Sequence, residues 1–139
     1  MERDAAGLEV LSRDESLALL ASVPVGRVVF TDRALPAILP VNYVVDDDTV
    51  VFQTGAGSKL AAATREAVVA FEADSFDEDA RSGWSVMVLG RSQVVEDDRE
   101  IERLAALHLQ PWAPESRPHF VKIQMAQVTG RRLRPNGSG

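Results

Sequence analysis

Val50-Val51-Phe52-Gln53-Thr54-Gly55-Ala56-Gly57-Ser58-Lys59 runs from β-branched and aromatic residues into glycines, hydroxyls and a lysine. The first half reads as a buried strand. Gly55 and Gly57 allow positive φ and let a ligand approach the main chain with no Cβ in the way. The following Leu60-Ala61-Ala62-Ala63-Thr64-Arg65 is alanine-rich and predicts a helix. Ser58 then stands at its N-cap, with N–H groups directed outward just beyond. Thr54 and Ser58 add hydroxyls, Lys59 adds a point charge, and a phosphate suits such a place. The same residues equally suit a glycine turn, a capped helix and a solvated lysine. Neither the Walker A spacing nor G-x-G-x-x-G is present, so the flanking segments must decide.

Upstream, Arg27-Val28-Val29-Phe30-Thr31 and Ala37-Ile38-Leu39-Pro40-Val41-Asn42-Tyr43-Val44-Val45 read as strands, joined by a turn at Asp32-Arg33-Ala34. Pro36 and Pro40 place the second of them at an edge or a bulge, because proline cannot donate to a ladder. Asp46-Asp47-Asp48 is a polar turn into the strand at 49–53, so two consecutive hairpins are expected. Ser12-Arg13-Asp14-Glu15 has the form of a capping box and opens a helix over 13–22, ahead of Pro24. Residues 1–10 lack a period and read as a loose arm.

Downstream, strands are expected over 67–74 and 83–95, the second bending at Gly90, with the acidic stretch 75–82 between them as a solvated loop. Ile101, Leu104, Ala105 and His108 fall at helical spacing and predict a helix over 98–110. Phe120-Val121-Lys122-Ile123-Gln124-Met125 supplies the last strand, and 134–139 reads as a frayed tail. The whole is mainly β with some α: a six-stranded antiparallel closed or split barrel, its ends covered by helices.

Composition narrows the function classes. A chain of 139 residues fits one domain. Its N-terminus is charged with no apolar run behind it, and no stretch approaches the roughly 20 apolar residues of a membrane span, so a cytoplasmic protein without membrane contact is expected. The absence of cysteine removes disulfides, thiolate catalysis and cysteine-ligated metal. A net charge of −6 opposes loose binding to nucleic acid. His108 and His119 do not have metal-ligand spacing, and no metal is expected.

The succession Gly26-Arg27, Pro40-Val41-Asn42-Tyr43, Thr54 to Lys59, Val69-Ala70-Phe71-Glu72-Ala73-Asp74, Gly83-Trp84-Ser85-Val86, Gly90 and Thr129-Gly130-Arg131-Arg132 resembles the pyridoxamine 5′-phosphate oxidase-related, FMN-binding split-barrel superfamily. Within it the chain is similar to actinobacterial proteins resembling nitroimidazole-resistance reductases, over about residues 11–133. The resemblance implies a homodimer holding FMN in two equivalent clefts between subunits. It implies that Thr54, Gly55, Gly57, Ser58 and Lys59 grip the flavin phosphate. Val41, Asn42 and Tyr43 would run beside the ring, and Trp84 and Ser85 would line the same cleft. FMN brings about two negative charges near neutral pH, which the lysine and hydroxyls suit.

The function expected is that of an oxidoreductase passing electrons from a reduced nicotinamide through the flavin to a small organic acceptor. No catalytic acid or base is singled out, since the flavin supplies the reactive atom. Two alternatives use the same cleft: a deazaflavin F420-dependent reductase, and a flavin- or haem-binding module without turnover. Thr54 stands where some nitroimidazole reductase-like members have a histidine, so no histidine mechanism is carried over. Arg27 suits either a phosphate or a surface ion pair, and Arg131, Arg132 and Arg134 suit either a phosphate or the acidic surface.

Overall fold

The computed structural model describes residues 2–55, 58–107 and 119–135. In chain order the elements are β1 (Glu9–Leu11), α1 (Arg13–Leu20), β2 (Val25–Asp32), β3 (Leu35–Asp46), β4 (Thr49–Thr54), α2 (Lys59–Ala63), β5 (Val68–Asp77), β6 (Ser82–Val94), α3 (Asp98–Ala105), β7 (His119–Gln124) and β8 (Gln127–Leu133). The strands lie side by side in the order β1-β8-β6-β5-β2-β3-β4-β7, and a further pairing of β6 with β7 closes the ring. Six strands, β2 to β7, therefore form a closed antiparallel barrel as expected, with β8 and β1 added outside it.

Alternation fills the barrel. Val28 and Phe30 on β2, Val41 and Tyr43 on β3, Val50 and Phe52 on β4, and Val86 and Val88 on β6 all point into one core. A second, smaller core lies outside the barrel wall. There Val51 and Phe120, facing away from the first core, are covered by Leu104 of α3. Ile101 and Leu104 do form the buried side of that helix, whereas Ala105 is exposed and His108 lies outside the described residues.

Two strands change partner along their length, and this splits the barrel. β6 pairs with β5 over Ser82 to Arg91, while on its other side it pairs with β8 over Gly83 to Leu89 and then with β7 over Ser92 to Val94. The bend falls at Gly90, where a Cβ would lie 1.6 Å from the Gln124 carbonyl oxygen. β3 pairs with β2 from Leu35 to Asn42 and with β4 only from Tyr43 to Asp46. Pro36 and Pro40 thus lie on a stretch with β2 as its one strand neighbour among the described residues, where a missing N–H costs no ladder bond.

Three expectations needed revision. The arm over 1–10 is tied down: β1 pairs with β8, the Asp4 carboxylate accepts the Ala6 and Leu8 N–H groups at 2.9 and 3.0 Å, and Arg131 Nε donates to it at 2.8 Å. Side-chain bonds and a ladder hold this segment, so no apolar period marks it. The acidic stretch is partly strand, since β5 runs to Asp77 and β6 starts at Ser82. The end of that ribbon is exposed, so the usual one-sided burial pattern is missing. Third, 127–133 is a strand, β8, whose arginines and threonine stand in place of the apolar alternation that marks the others.

An ionic clamp fixes α3. Arg103 donates twice to Asp46, at 2.7 and 3.2 Å, and twice to Glu100, while Lys122 Nζ is 2.5 Å from the same Glu100. The Arg103 and Lys122 bonds hold the Glu100 carboxyl down at about 2. A depressed folded value adds stability that is present above the unfolded pKa and is lost as pH falls through the folded one. Glu100→Gln should therefore be less stable than the parent at neutral pH and lose less stability between about pH 4.5 and 2, so that acid unfolding brings the two together.

Candidate functional site

The glycine segment folds as its residues dictate. Ser58 caps α2, accepting the Ala61 N–H at 3.0 Å, and its own N–H donates to the Gly55 carbonyl at 3.3 Å. Its hydroxyl lies 2.9 Å from Thr54 Oγ1. Two hydroxyl protons serve this pair, one of them is used between the two oxygens, and the other is left for a further acceptor. Thr54 is buried and Ser58 partly exposed, so that acceptor approaches from the Ser58 side. Lys59 is the first residue of α2; Ala56, Gly57 and the side chain of Lys59 lie outside the described residues. A phosphate fits this donor set.

The cradle ends β4 beyond the last residue paired with β3, since Tyr43↔Phe52 closes that ladder while Gln53 and Thr54 continue against Phe120 and His119 of β7. β3 meanwhile turns away toward β2. The two strands diverge at Asn42 and Gln53, and the edge of β3 that faces away from β2 starts there. Gln53 Oε1 is buried at this point without a hydrogen-bond partner.

The other expected site residues divide by strand parity. Val41 and Tyr43 point into the barrel; the Tyr43 ring packs edge-on against Phe71, with centroids 4.6 Å apart, and its hydroxyl donates to the Leu20 carbonyl. Burial pushes the Tyr43 hydroxyl well above the usual phenol range. Asn42 points outward, as the alternation requires. Trp84 packs against the barrel core, whereas Ser85, its neighbour, faces out and donates to Glu72 Oε2 at 3.0 Å. Within one chain, then, the side chains of Trp84 and Ser85 are on opposite faces of β6, as are those of Asn42 and Tyr43 on β3.

Tyr43→Phe keeps the packing and strands the Leu20 carbonyl, which should cost about 1 kcal/mol in denaturant unfolding. The same variant should also flatten the alkaline limb. A phenol raised on folding gives stability that is complete below its unfolded pKa of about 10 and is lost at higher pH, and phenylalanine has no such term.

The outward face of β2, β5 and β6 carries a cluster that the sequence reading did not assign to a site. Arg27 Nη1 lies 3.2 Å from both Glu72 and Asp74, so it makes a surface ion pair rather than reaching a phosphate. Its signal was Glu72-x-Asp74 within a strand, two carboxylates on one face. The arginines near the C-terminus are likewise engaged by acids of the N-terminal segment, Arg131 by Asp4 and Arg134 by Glu9 at 3.4 Å.

Known proteins resemble this chain in sequence and fold. Residues 12–132 match the family model described as pyridoxamine 5′-phosphate oxidase. An uncharacterised protein of Mycobacterium tuberculosis is 44% identical over 128 residues, covering 88% of this chain and 84% of its own. Among solved structures, an FAD binding protein from Mycobacterium smegmatis is 38% identical, with TM-score 0.78 and coverage of 91% of this chain and 98% of that one. A Corynebacterium glutamicum protein, provisionally assigned as a pyridoxamine 5′-phosphate oxidase, is 33% identical with TM-score 0.82, covering 92% and 99%. No helix among the described residues is long and apolar enough to cross a membrane. With a closed six-stranded barrel, a hydroxyl cradle at the end of β4 and a match over nearly its whole length, the chain belongs to the pyridoxamine 5′-phosphate oxidase family.

Proposed function

We propose that this chain binds a flavin nucleotide, gripping its phosphate with Thr54, Ser58 and Lys59 and laying the ring along the open edge of β3. As a cytoplasmic homodimer it passes electrons from a reduced nicotinamide to a small organic acceptor. The observation that carries the reading is the Thr54–Ser58 hydroxyl pair, 2.9 Å apart, at the point where β4 and β3 diverge. Its remaining hydroxyl proton and the Lys59 charge meet the two needs of a phosphate, direction and neutralisation. The edge of β3 before Tyr43 has no strand against it among the described residues and lies open to a flat heterocycle, and the outward Asn42 stands at the end of that edge nearest the cradle. The flavin, when bound, supplies the two-electron chemistry; the protein binds, orients and excludes water.

FMN suits this grip, and so does FAD held by its diphosphate. Similarity to the FAD binding protein of M. smegmatis favours the longer nucleotide as a second reading. The homodimer is supported by Ile38, Met87, Phe76 and Leu133, which are 41–59% accessible and are side chains that a subunit contact would cover. An absorption spectrum of the purified protein tests the proposal, and the mass of the chromophore released by heat separates FMN from FAD. Flavin that stays oxidised when a nicotinamide is added without oxygen would leave a binding protein rather than an enzyme. Protein that neither carries nor takes up flavin would refute the reading altogether.

A further inference from the structure

β7 begins with a histidine, and the register sets it against the cradle: His119 is the cross-strand partner of Thr54, the last residue of β4. Directly opposed residues of an antiparallel pair carry their Cβ atoms about 4.5–5.5 Å apart on one face of the sheet. That face is the inner one. The residues of the same parity on each strand, Val50 and Phe52 on β4 and Val121 and Ile123 on β7, all lie in the barrel core. His119 therefore stands at the mouth of the barrel, half-buried, beside the Thr54–Ser58 hydroxyl pair. Its imidazole has no hydrogen-bond or ion-pair partner among the described residues. An imidazole carries one N–H when neutral and two when protonated, so a donor here is left without an acceptor.

We propose that His119 completes the phosphate grip, and that in its protonated form it closes the cradle on the side away from the flavin ring. The inference rests on the flavin nucleotide of the proposed function. There the ring lies along β3, on one flank of β4, and β7 is the opposite flank. A side chain reaching Thr54 from β7 meets the end of the ligand that carries phosphate. The hydroxyl pair has one proton left to give, whereas a phosphate presents several acceptor oxygens; an imidazolium adds an N–H donor and a positive charge together. The other charged groups nearby are engaged or fixed in charge. On the β6–α3 connection Glu96 is paired with Arg65 at 2.9 Å, and Asp97 accepts the Arg99 N–H as the cap of α3. Lys122 lies on the outer face of β7 with Glu100, and Lys59, next to Ser58 in the sequence, stays charged through neutral pH. Among these groups only His119 changes charge between about pH 5 and 8. A bound phosphate favours the imidazolium and raises its pKa from about 6.5. Affinity is then greatest below that value and falls as pH rises through the bound one.

Titration of the full chain, stripped of flavin, with FAD tests this, because the diphosphate of FAD does not itself titrate near neutrality. Binding should be about fivefold or more weaker at pH 8 than at pH 6, as expected for a histidine whose pKa rises by about one unit or more beside an anion. His119→Gln keeps an N–H donor and removes the titration; its affinity should match the parent's at about pH 8 and stay flat down to about pH 6. His108→Gln removes the only other histidine and should keep the parent's slope. Riboflavin, which has no phosphate, should show no such slope. Parent affinity that is flat with pH, a slope that His119→Gln keeps or His108→Gln abolishes, or equal slopes for FAD and riboflavin would overturn this role of His119 and leave flavin binding standing. A parent that takes up no flavin at any pH would instead refute the proposed function, and this inference with it.

Discussion

Replacing Gly90 by alanine should leave little or no folded protein. The added methyl would lie 1.6 Å from the Gln124 carbonyl oxygen and 2.8 Å from its carbon, so main chain must move for it to fit. Gln124 cannot easily withdraw. It ends β7, and the next residue is fixed on both sides, the Met125 N–H by the Asp48 carbonyl at 3.0 Å and the Met125 carbonyl by Arg13 Nη2 at 3.1 Å. The bend at Gly90 is also where β6 leaves β8 for β7, so relief would open the ring. Overpacking against side chains usually costs about 1–3 kcal/mol. Against pinned backbone we expect about 4 kcal/mol or more, a large part of the roughly 5–15 kcal/mol that holds a domain together. Any folded fraction should melt roughly 10 °C or more below the parent. Gly7→Ala is the control: its φ of 83° carries a left-handed cost, but no neighbour lies within 4 Å of the new methyl, and about 1–2 kcal/mol should be lost. A Gly90→Ala protein as stable as Gly7→Ala would mean that β6 and β7 do not approach as described.

That glycine was legible as a bend within a long strand; what it bends around was not. The barrel strands could be read because each carries β-branched or aromatic residues facing a core, from Val28 and Phe30 to Val121 and Ile123. β8 and β1 could not, because their strands are held by ladder bonds and by arginine–carboxylate pairs such as Arg131 with Asp4. The same limit governs the site. Ser58 as N-cap and its hydroxyl neighbour Thr54 are local in sequence, and the structure brings them together as read. Asn42, Trp84 and Ser85 depend on strand parity relative to a core whose side is known only once the pairing is known. Tyr43, expected with Val41 and Asn42 beside a flavin ring, has its side chain in the core with its hydroxyl held by the end of α1, which only the pairing of β3 determines. The Arg27–Glu72–Asp74 cluster joins β2 to β5 across more than forty residues of chain, a distance over which one sequence gives no spacing to read.

If the hydroxyl cradle holds a phosphate, Ser58→Ala should weaken flavin binding by about 10- to 150-fold, the equivalent of about 1.5–3 kcal/mol for a hydrogen bond to a charged acceptor. Part of the loss is indirect. Ser58 also caps α2, and its removal costs about 0.5–2 kcal/mol of local stability in a helix of five residues. Thr54→Val separates the two contributions, because it keeps the buried shape and leaves the cap intact while removing the partner that orients the Ser58 hydroxyl. It should weaken binding by a smaller factor, about threefold to tenfold, with almost no change in melting temperature. The double variant decides whether the hydroxyls act as one unit. Because a single proton is shared between the oxygens and only one is left to donate outward, losing both should cost little more than losing Ser58 alone. Titration of apoprotein with FMN and with FAD, followed by flavin fluorescence, reads all three constants. Losses that multiply in the double variant would mean two independent phosphate contacts, and unchanged affinity in every variant would move the phosphate away from the end of β4.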